Sequence, residues 1–284
     1  MAKLSPVGGP AVSVDGLTLC RSDGEELVAD VTFDLHRAEI LGLVGESGSG
    51  KTLTSLAISE LLPPGISISG GQVTVARDED ADRAAAKRSE VAMVFQDAMS
   101  CLNPAYTVGQ QLRRIFVRQH GWTRRAADAK AVETLGLVGM PDPRRVARQH
   151  PHELSGGMRQ RVMIAIAVGV APRVLIADEP TTALDVTVQA QILDLIRALR
   201  DELALAVIMV THDLGVVADL CDRVLVMHNG RIVESGLTES VFASPAHPHS
   251  RALLESTRRL EAPRRQGDGA DSAEHEHDEE TAAS

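Results

Sequence analysis

The sequence predicts an α/β fold: a parallel central sheet flanked by helices, with a small antiparallel β region ahead of it. Three observations carry this reading. Four short runs, ILGLVG (40–45), VAMVFQ (91–96), VLIAD (174–178) and AVIMVT (206–211), are nearly continuous in apolar residues, as strands buried on both faces are. Among them, TLTSLAISELL (52–62) and VTVQAQILDLIRALRDEL (186–203) repeat apolar residues at helical spacing, so strand and helix alternate in the order that builds parallel sheets. Ahead of both, VSVDGLTLC and LVADVTFDLH alternate around the polar turn RSDGEE, which predicts antiparallel strands within 11–36.

Residues 97–154 break the alternation. They are rich in Arg and Ala, show helical stretches and no clear strand, and are punctuated by Pro104, Pro141, Pro143 and Pro151, so a helical insert is expected there. Further on, RVLVMHNGRIVESG (223–236) predicts a hairpin, because Asn229-Gly230 tolerates the positive φ angles of a type I′ turn.

Charge bounds the partners. The 29 Lys and Arg against 39 Asp and Glu give a net charge of -10, which disfavours broad neutralisation of phosphate backbones, so no nucleic acid partner is expected. Seven of the acids lie in 266–284, a stretch without Lys, Arg or large apolar residues, and 261–284 is expected to be an acidic disordered tail. His275 and His277 within it read either as metal ligands or as solubilising residues. The three cysteines, Cys20, Cys101 and Cys221, are too few and too far apart for a disulfide framework or a CxxC metal site and suit a reducing compartment. The opening MAKLSPVGGP has no apolar signal region. The longest apolar run, 162–171, is about half of the ~20 residues that span a bilayer, so a cytoplasmic chain is expected.

The chemistry begins where the first buried run ends. Gly45-Glu46-Ser47-Gly48-Ser49-Gly50-Lys51-Thr52 fits G-x-x-x-x-G-K-[ST] and is followed at once by a helical pattern. Glycines let backbone N–H groups converge on phosphate oxygens, a helix N-terminus adds positive potential, Lys51 reaches the β and γ phosphates, and Thr52 offers a hydroxyl to Mg²⁺. Only four residues of the chain are Lys against 25 Arg, so a compact ammonium appears where a phosphate wants a point charge. VLIAD ends in Asp178-Glu179, at the strand end where open α/β sheets bind ligands. Asp178 there would orient Mg²⁺ through its water shell and Glu179 would polarise the attacking water, or the two acids would simply cap a helix. Ser155-Gly156-Gly157, just before a long helical run, offers a second anion-binding turn or an ordinary cap.

Taken together, GESGSGKT, LSGGMRQR and LIADEPTTALD in this order resemble the nucleotide-binding subunit of ABC transporters, over roughly residues 11–260. Gln96 in VFQD matches that family's Q-loop, Ala183-Leu184-Asp185 its D-loop, and His212 in VTHD its switch histidine. FQDAMSCLNPAYTVG (95–109), HPHELSGGMRQRVMIAIA (150–167) and SPAHPHSRALLES (244–256) are similar to the ATPases of dipeptide, oligopeptide and nickel importers.

The resemblance implies a P-loop NTPase fold with a RecA-like core, an N-terminal antiparallel β subdomain and a helical ABC-specific insert, with the nucleotide-binding domain over 1–260. It implies ATP hydrolysis that drives solute translocation, most readily of peptides. Gly45, Glu46, Ser47, Gly48, Ser49, Gly50, Lys51 and Thr52 would bind ATP, and Thr52, Gln96 and Asp178 would hold Mg²⁺ or its waters. Glu179 would serve as base and His212 would contact the γ-phosphate, while Ser155, Gly156 and Gly157 would bind the ATP of a second ATPase subunit. The further partners implied are two permease subunits and an extracytoplasmic solute-binding protein, with this chain peripheral on the cytoplasmic face of the membrane. No Cys follows Cys221, so no iron–sulfur cluster is expected.

The chain departs from the family where an aromatic stacks on adenine: residues 1–30 hold no Phe, Tyr, Trp or His, and Cys20 or Arg21 stands near that place. Ala38 replaces a common Gly, and Ala98 and Cys101 a common Pro and Ser. Two other classes remain open at this level. One is a soluble ABC-type ATPase on a metabolic complex such as a phosphonate-degrading assembly. The other is a DNA-repair or chromosome ATPase, against which stand the acidic charge and the short spacing between the phosphate loop and LSGG.

Overall fold

The computed structural model describes residues 9–76, 90–182 and 184–261. In chain order, β1 (Val12–Arg21) and β2 (Glu26–Leu35) lead to β3 (Ile40–Val44), α1 (Lys51–Ile58), β4 (Ile66–Val75) and β5 (Val91–Val94). Next come α2 (Ala98–Cys101), α3 (Val108–His120), α4 (Arg124–Leu137), α5 (Pro143–Val146) and a 3-10 turn at Pro151–Glu153. The chain continues through α6 (Gly156–Gly169), β6 (Val174–Asp178), α7 (Val186–Leu203), β7 (Ala206–Thr211) and α8 (Leu214–Leu220). It closes with β8 (Arg223–His228), β9 (Arg231–Leu237), α9 (Thr238–Ala243) and α10 (Pro248–Glu261).

The main sheet has the order β5-β6-β7-β3-β8-β9, parallel except for β9, which pairs antiparallel with β8. Every residue of β3, β6 and β7 is buried, because the two faces of the sheet serve two cores. Val174 and Ile176 join the core shared with the antiparallel sheet and α1, whereas Leu175 and Ala177 join the core shared with α3, α4, α6, α7 and α8. Alternation along one strand thus feeds both layers, which is why these runs carry no polar face.

The smaller sheet is β2-β1-β4, antiparallel throughout. β4 escapes the sequence reading for a physical reason. None of its residues is fully buried, and ISISGGQVTV therefore lacks the apolar alternation that marks a half-buried strand. α1 is also shorter than the run 52–62: it is capped at Ser59, and Glu60 turns into the left-handed region at φ 57° ahead of Pro63-Pro64. The β8–β9 turn has Asn229 at φ 47° and Gly230 at φ 75°, both positive as a type I′ turn requires. Among the described residues no helix is long and apolar enough to cross a membrane. All but the first residue of the acidic tail, with His275 and His277, lie outside the described residues.

The turn into β3 places Ala38 in the left-handed region, a conformation that glycine takes without strain. Ala38 stands at φ 55°, between His36 and Glu39, whose carboxylate accepts the His36 N–H (2.7 Å) and an Arg223 hydrogen bond (2.9 Å). A left-handed non-glycine residue costs about 1 kcal/mol. Ala38→Gly is therefore expected to raise stability by up to about 1 kcal/mol, read as a higher denaturation midpoint in urea with an unchanged m-value.

Candidate functional site

Strand register assembles the site. Val94 pairs with Ala177, Asp178 with Val210, and Val44 with Thr211. One or two residues beyond those pairs, at the C-terminal edge of the sheet, the chain places Gln96 after β5, Glu179 after β6, His212 after β7 and Gly45 after β3. Residues separated by up to 167 positions in sequence share one ridge because five neighbouring strands point the same way.

The loop 45–52 is shaped by what surrounds its glycines. Gly45 has φ 153°, and a Cβ there would stand 2.2 Å from the Met227 carbonyl oxygen and 2.7 Å from Ser49 Oγ. Gly48 and Gly50 have φ 81° and 104°. Gly50 is the N-cap of α1 and offers no side-chain bond, so the first amides of the helix face outward for an anion. Lys51 is buried; its Nζ donates to the Gly45 and Glu46 carbonyls, both at 2.8 Å. Burial pushes the Lys51 ammonium below its ordinary pKa, opposed by the charges of Glu179 and Asp178.

Two carboxylates face this loop with opposite character. Asp178 is buried at the end of β6, and burial lifts its carboxyl above the usual range despite a hydrogen bond from Thr52. Glu179, one residue on, takes φ 46°, with its N–H donating to the Val210 carbonyl at 2.8 Å. Its Oε2 accepts from Thr182 Oγ1 at 3.0 Å, and its Oε1 lies 2.9 Å from His212 Nδ1. Burial works against its charge, but the bonds from His212 and Thr182 and the nearby Lys51 outweigh it and hold the carboxyl below its ordinary value. Side by side stand two carboxyls whose surroundings move their pKa values in opposite directions, Asp178 upward by burial and Glu179 downward by its hydrogen bonds. The donor set of Thr52 hydroxyl, Asp178 carboxylate and Gln96 amide consists of hard oxygens, and the existing Thr52–Asp178 contact fits a Mg²⁺ ion that keeps several waters.

The other motif residues lie elsewhere. Ser155 caps α6, its hydroxyl accepting from Met158 N–H at 3.4 Å. Gly157 is required by packing: a Cβ would come within 2.5 Å of Val188 on α7. Among the described residues no hydrogen bond joins Ser155, Gly156 or Gly157 to the loop 45–52. Asp185 caps α7 through Val188 N–H (3.0 Å), while Ala183 lies outside the described residues. Gln96 is exposed, level with Glu179 in register. Arg21 is engaged by Asp23 and Glu25 at the β1–β2 turn, and Cys20 Sγ accepts from Ser69 Oγ at 3.1 Å.

Sequence reasoning missed Thr182, whose signal was a hydroxyl three residues after an acid in EPTT. It also missed Met227 and Gly230, which shape the loop from a distant hairpin and leave no local signal.

A phosphate loop on the C-terminal edge of a parallel sheet, faced by the two adjacent carboxyls of Asp178 and Glu179, defines a P-loop nucleoside triphosphatase. The sequence profile described as ABC transporter matches residues 28–182, and the chain belongs to that family. An ATP-binding protein of Brucella abortus named for peptide import is 48% identical over 266 residues, covering 88% of this chain and 78% of that one. The dipeptide transport ATP-binding protein DppD of Bacillus subtilis is 44% identical over 242 residues, covering 83% and 72%. Among solved structures, a dimeric ATP-binding cassette in a post-hydrolysis state with ADP and Pi superposes with a TM-score of 0.67 at 26% identity, covering 80% of this chain and 98% of that one.

Because the carboxyl of Glu179 sits below its ordinary value, its stabilising contribution is full above the normal Glu range and is lost as pH falls through the lowered value. Thr182→Val removes one of its two hydrogen bonds. Side-chain ¹³C NMR is expected to show the Glu179 titration moving upward in that variant, with the acid limb of stability moving with it.

Proposed function

We propose that this chain is the ATP-hydrolysing subunit of an ABC importer for di- or oligopeptides, with nickel or another small solute as the alternative cargo. The observation that carries the reading is the Glu179 carboxylate, held ionised between His212 and Thr182 beside the loop 45–52. The import names of the relatives from Brucella and Bacillus support the cargo class.

In this mechanism the amides of Gly45 to Thr52 and the helix N-terminus bind the triphosphate, and Lys51 turns from the loop carbonyls to the β and γ oxygens. Thr52, Gln96 and Asp178 would hold Mg²⁺, which when bound would neutralise charge on the phosphate oxygens. Glu179 accepts the proton of the attacking water. His212 contacts the γ-phosphate while its Nδ1–H keeps Glu179 aimed. Ser155, Gly156 and Gly157 bind the ATP of a second ATPase subunit in a head-to-tail dimer, so closure requires both nucleotides.

Transmission runs through the insert. A cavity of about 760 Å³ opens where α3 and α4 meet the ends of α6 and α7, with Phe116, Trp122, Leu137 and Leu203 in its wall. Phe116 and Trp122 stack with ring centroids 5.6 Å apart. This recess between insert and core, with aromatic residues beside charged ones such as Arg37, Glu90 and Lys130, would receive a segment of one of two permease subunits, with the chain peripheral on the cytoplasmic face of the membrane and an extracytoplasmic solute-binding protein choosing the cargo. Recovery from detergent-solubilised membranes with integral permeases supports this arrangement, and recovery in a soluble metabolic complex without them overturns it.

Glu179→Gln is expected to retain Mg-ATP binding and to lose about 10²-fold or more of turnover, the usual contribution of a general base. Steady-state phosphate release together with equilibrium binding checks this, and unchanged turnover would remove Glu179 from the role.

A further inference from the structure

The last part of the chain returns to the phosphate loop. Glu234 on β9 accepts hydrogen bonds from the Ala246 N–H (2.7 Å) and the His247 N–H (3.0 Å), with the Ser250 hydroxyl nearby. Burial opposes its charge, but these bonds outweigh that effect and hold its carboxyl below the usual range. Within the segment so clamped, the His249 N–H donates to His247 Nδ1 at 3.2 Å, and the His247 carbonyl accepts from the Arg251 N–H at 3.1 Å.

The clamp lays the His249 ring on the His228 ring, with centroids 3.9 Å apart. His228 is the last residue of β8, and the two residues that follow form the Asn229-Gly230 turn; the Asn229 amide nitrogen lies 3.1 Å from His228 Nε2. That turn touches the phosphate loop directly. The Gly230 N–H donates to the Ser49 carbonyl at 3.1 Å, and the Gly230 carbonyl accepts from the Ala29 N–H at 2.9 Å. A Cβ on Gly230 would stand 2.7 Å from the Leu27 carbonyl oxygen, so the turn has no room to drift toward β2. The contacts form one continuous path: Glu234, the segment 246–250, the His249 and His228 rings, Gly230, Ser49.

We propose that residues 246–250 are a strap that positions the phosphate loop, with His249 as a positioning residue acting through the His228 ring and the Gly230–Ser49 bond. The inference rests on the reading of 45–52 as the ATP loop and adds a regulator to it. A single backbone bond holds the loop firmly only while its donor is itself held, and the close contact of the two rings, tilted by 33°, provides that hold.

The groups facing His249 are His228 from β8, Glu46 from the phosphate loop and His247 from its own segment; Glu234 acts on it through that segment. Burial and then His228 push the His249 ring below the ordinary His pKa, Glu46 pulls it upward, and His247 again lowers it. The neutral ring is the form that the strap keeps. The strap is therefore engaged above the ordinary His range and is lost as pH falls through the lowered value.

The test uses the full chain carrying Glu179→Gln, so that ATP stays intact, with Mg-ATP affinity measured by calorimetry and folding monitored by thermal unfolding. Adding His249→Ala is expected to weaken Mg-ATP about three- to tenfold, the worth of one aromatic pair. Adding His249→Phe, which keeps a ring but cannot titrate, is expected to stay within about twofold of the parent and to show a flatter loss of affinity between about pH 7 and pH 5.5. Glu234→Gln loosens the clamp without touching either ring and is expected to lose affinity as His249→Ala does. It decides the matter if His249→Ala proves unfolded. If the parent binds no Mg-ATP, the ATPase reading falls. If the parent binds and both His249→Ala and Glu234→Gln bind equally well, the strap falls.

Discussion

The parallel register of β3, β6 and β7 is the constraint on which the rest of the molecule depends. Each of these strands is buried along its whole length, so a slip would carry its apolar residues out of one core and into the other. With register locked by packing on both faces, the strand ends are locked too. Gly45, Glu179 and His212 then lie at one height, and the chemistry becomes a matter of which side chains the three exits carry. The backbone N–H of Glu179 reaches back to Val210 on the neighbouring strand, which holds a residue at φ 46° that would otherwise relax.

Around that edge the molecule spends conformational strain and unusual electrostatics together. Gly45, Gly48 and Gly50 all take positive φ, Glu179 takes it without being glycine, and Lys51 and Asp178 are both buried. Elsewhere such features would weaken a domain. Here they leave backbone amides, a cation and two unlike carboxylates aimed at one volume. The acidic net charge says nothing against anion binding at this place, because backbone dipoles and one Lys, not surface charge, face the ligand.

The sequence showed its buried elements far better than its exposed ones. VLIAD, AVIMVT and the helix 186–203 fall on β6, β7 and α7 at the same bounds, since burial writes hydrophobicity directly into those positions. β4 went unread because its residues are half exposed and two are glycine. α1 stopped short of its apolar run because Glu60 adopts a turn conformation that periodicity does not encode. At the site, Lys51, Asp178 and Glu179 were legible through fixed spacing. Thr182, Met227 and Gly230 were not, because their contribution is a contact whose partner is chosen by folding.

The sequence by itself determined an α/β chain with a phosphate loop, an acid pair after a buried strand and a Ser-Gly-Gly turn before a long helix, all features of local spacing and pattern. Folding alone sets the two carboxyls apart, raising the pKa of Asp178 by burial and lowering that of Glu179 through the bonds from His212 and Thr182. Desolvation and hydrogen bonding depend on neighbours as distant as Thr52 and His212, and two adjacent carboxylates look alike until those neighbours arrive. Likewise, only folding brought the hairpin turn at Gly230 against Ser49, because long-range contacts follow from how strands pack, not from how far apart residues stand in the chain.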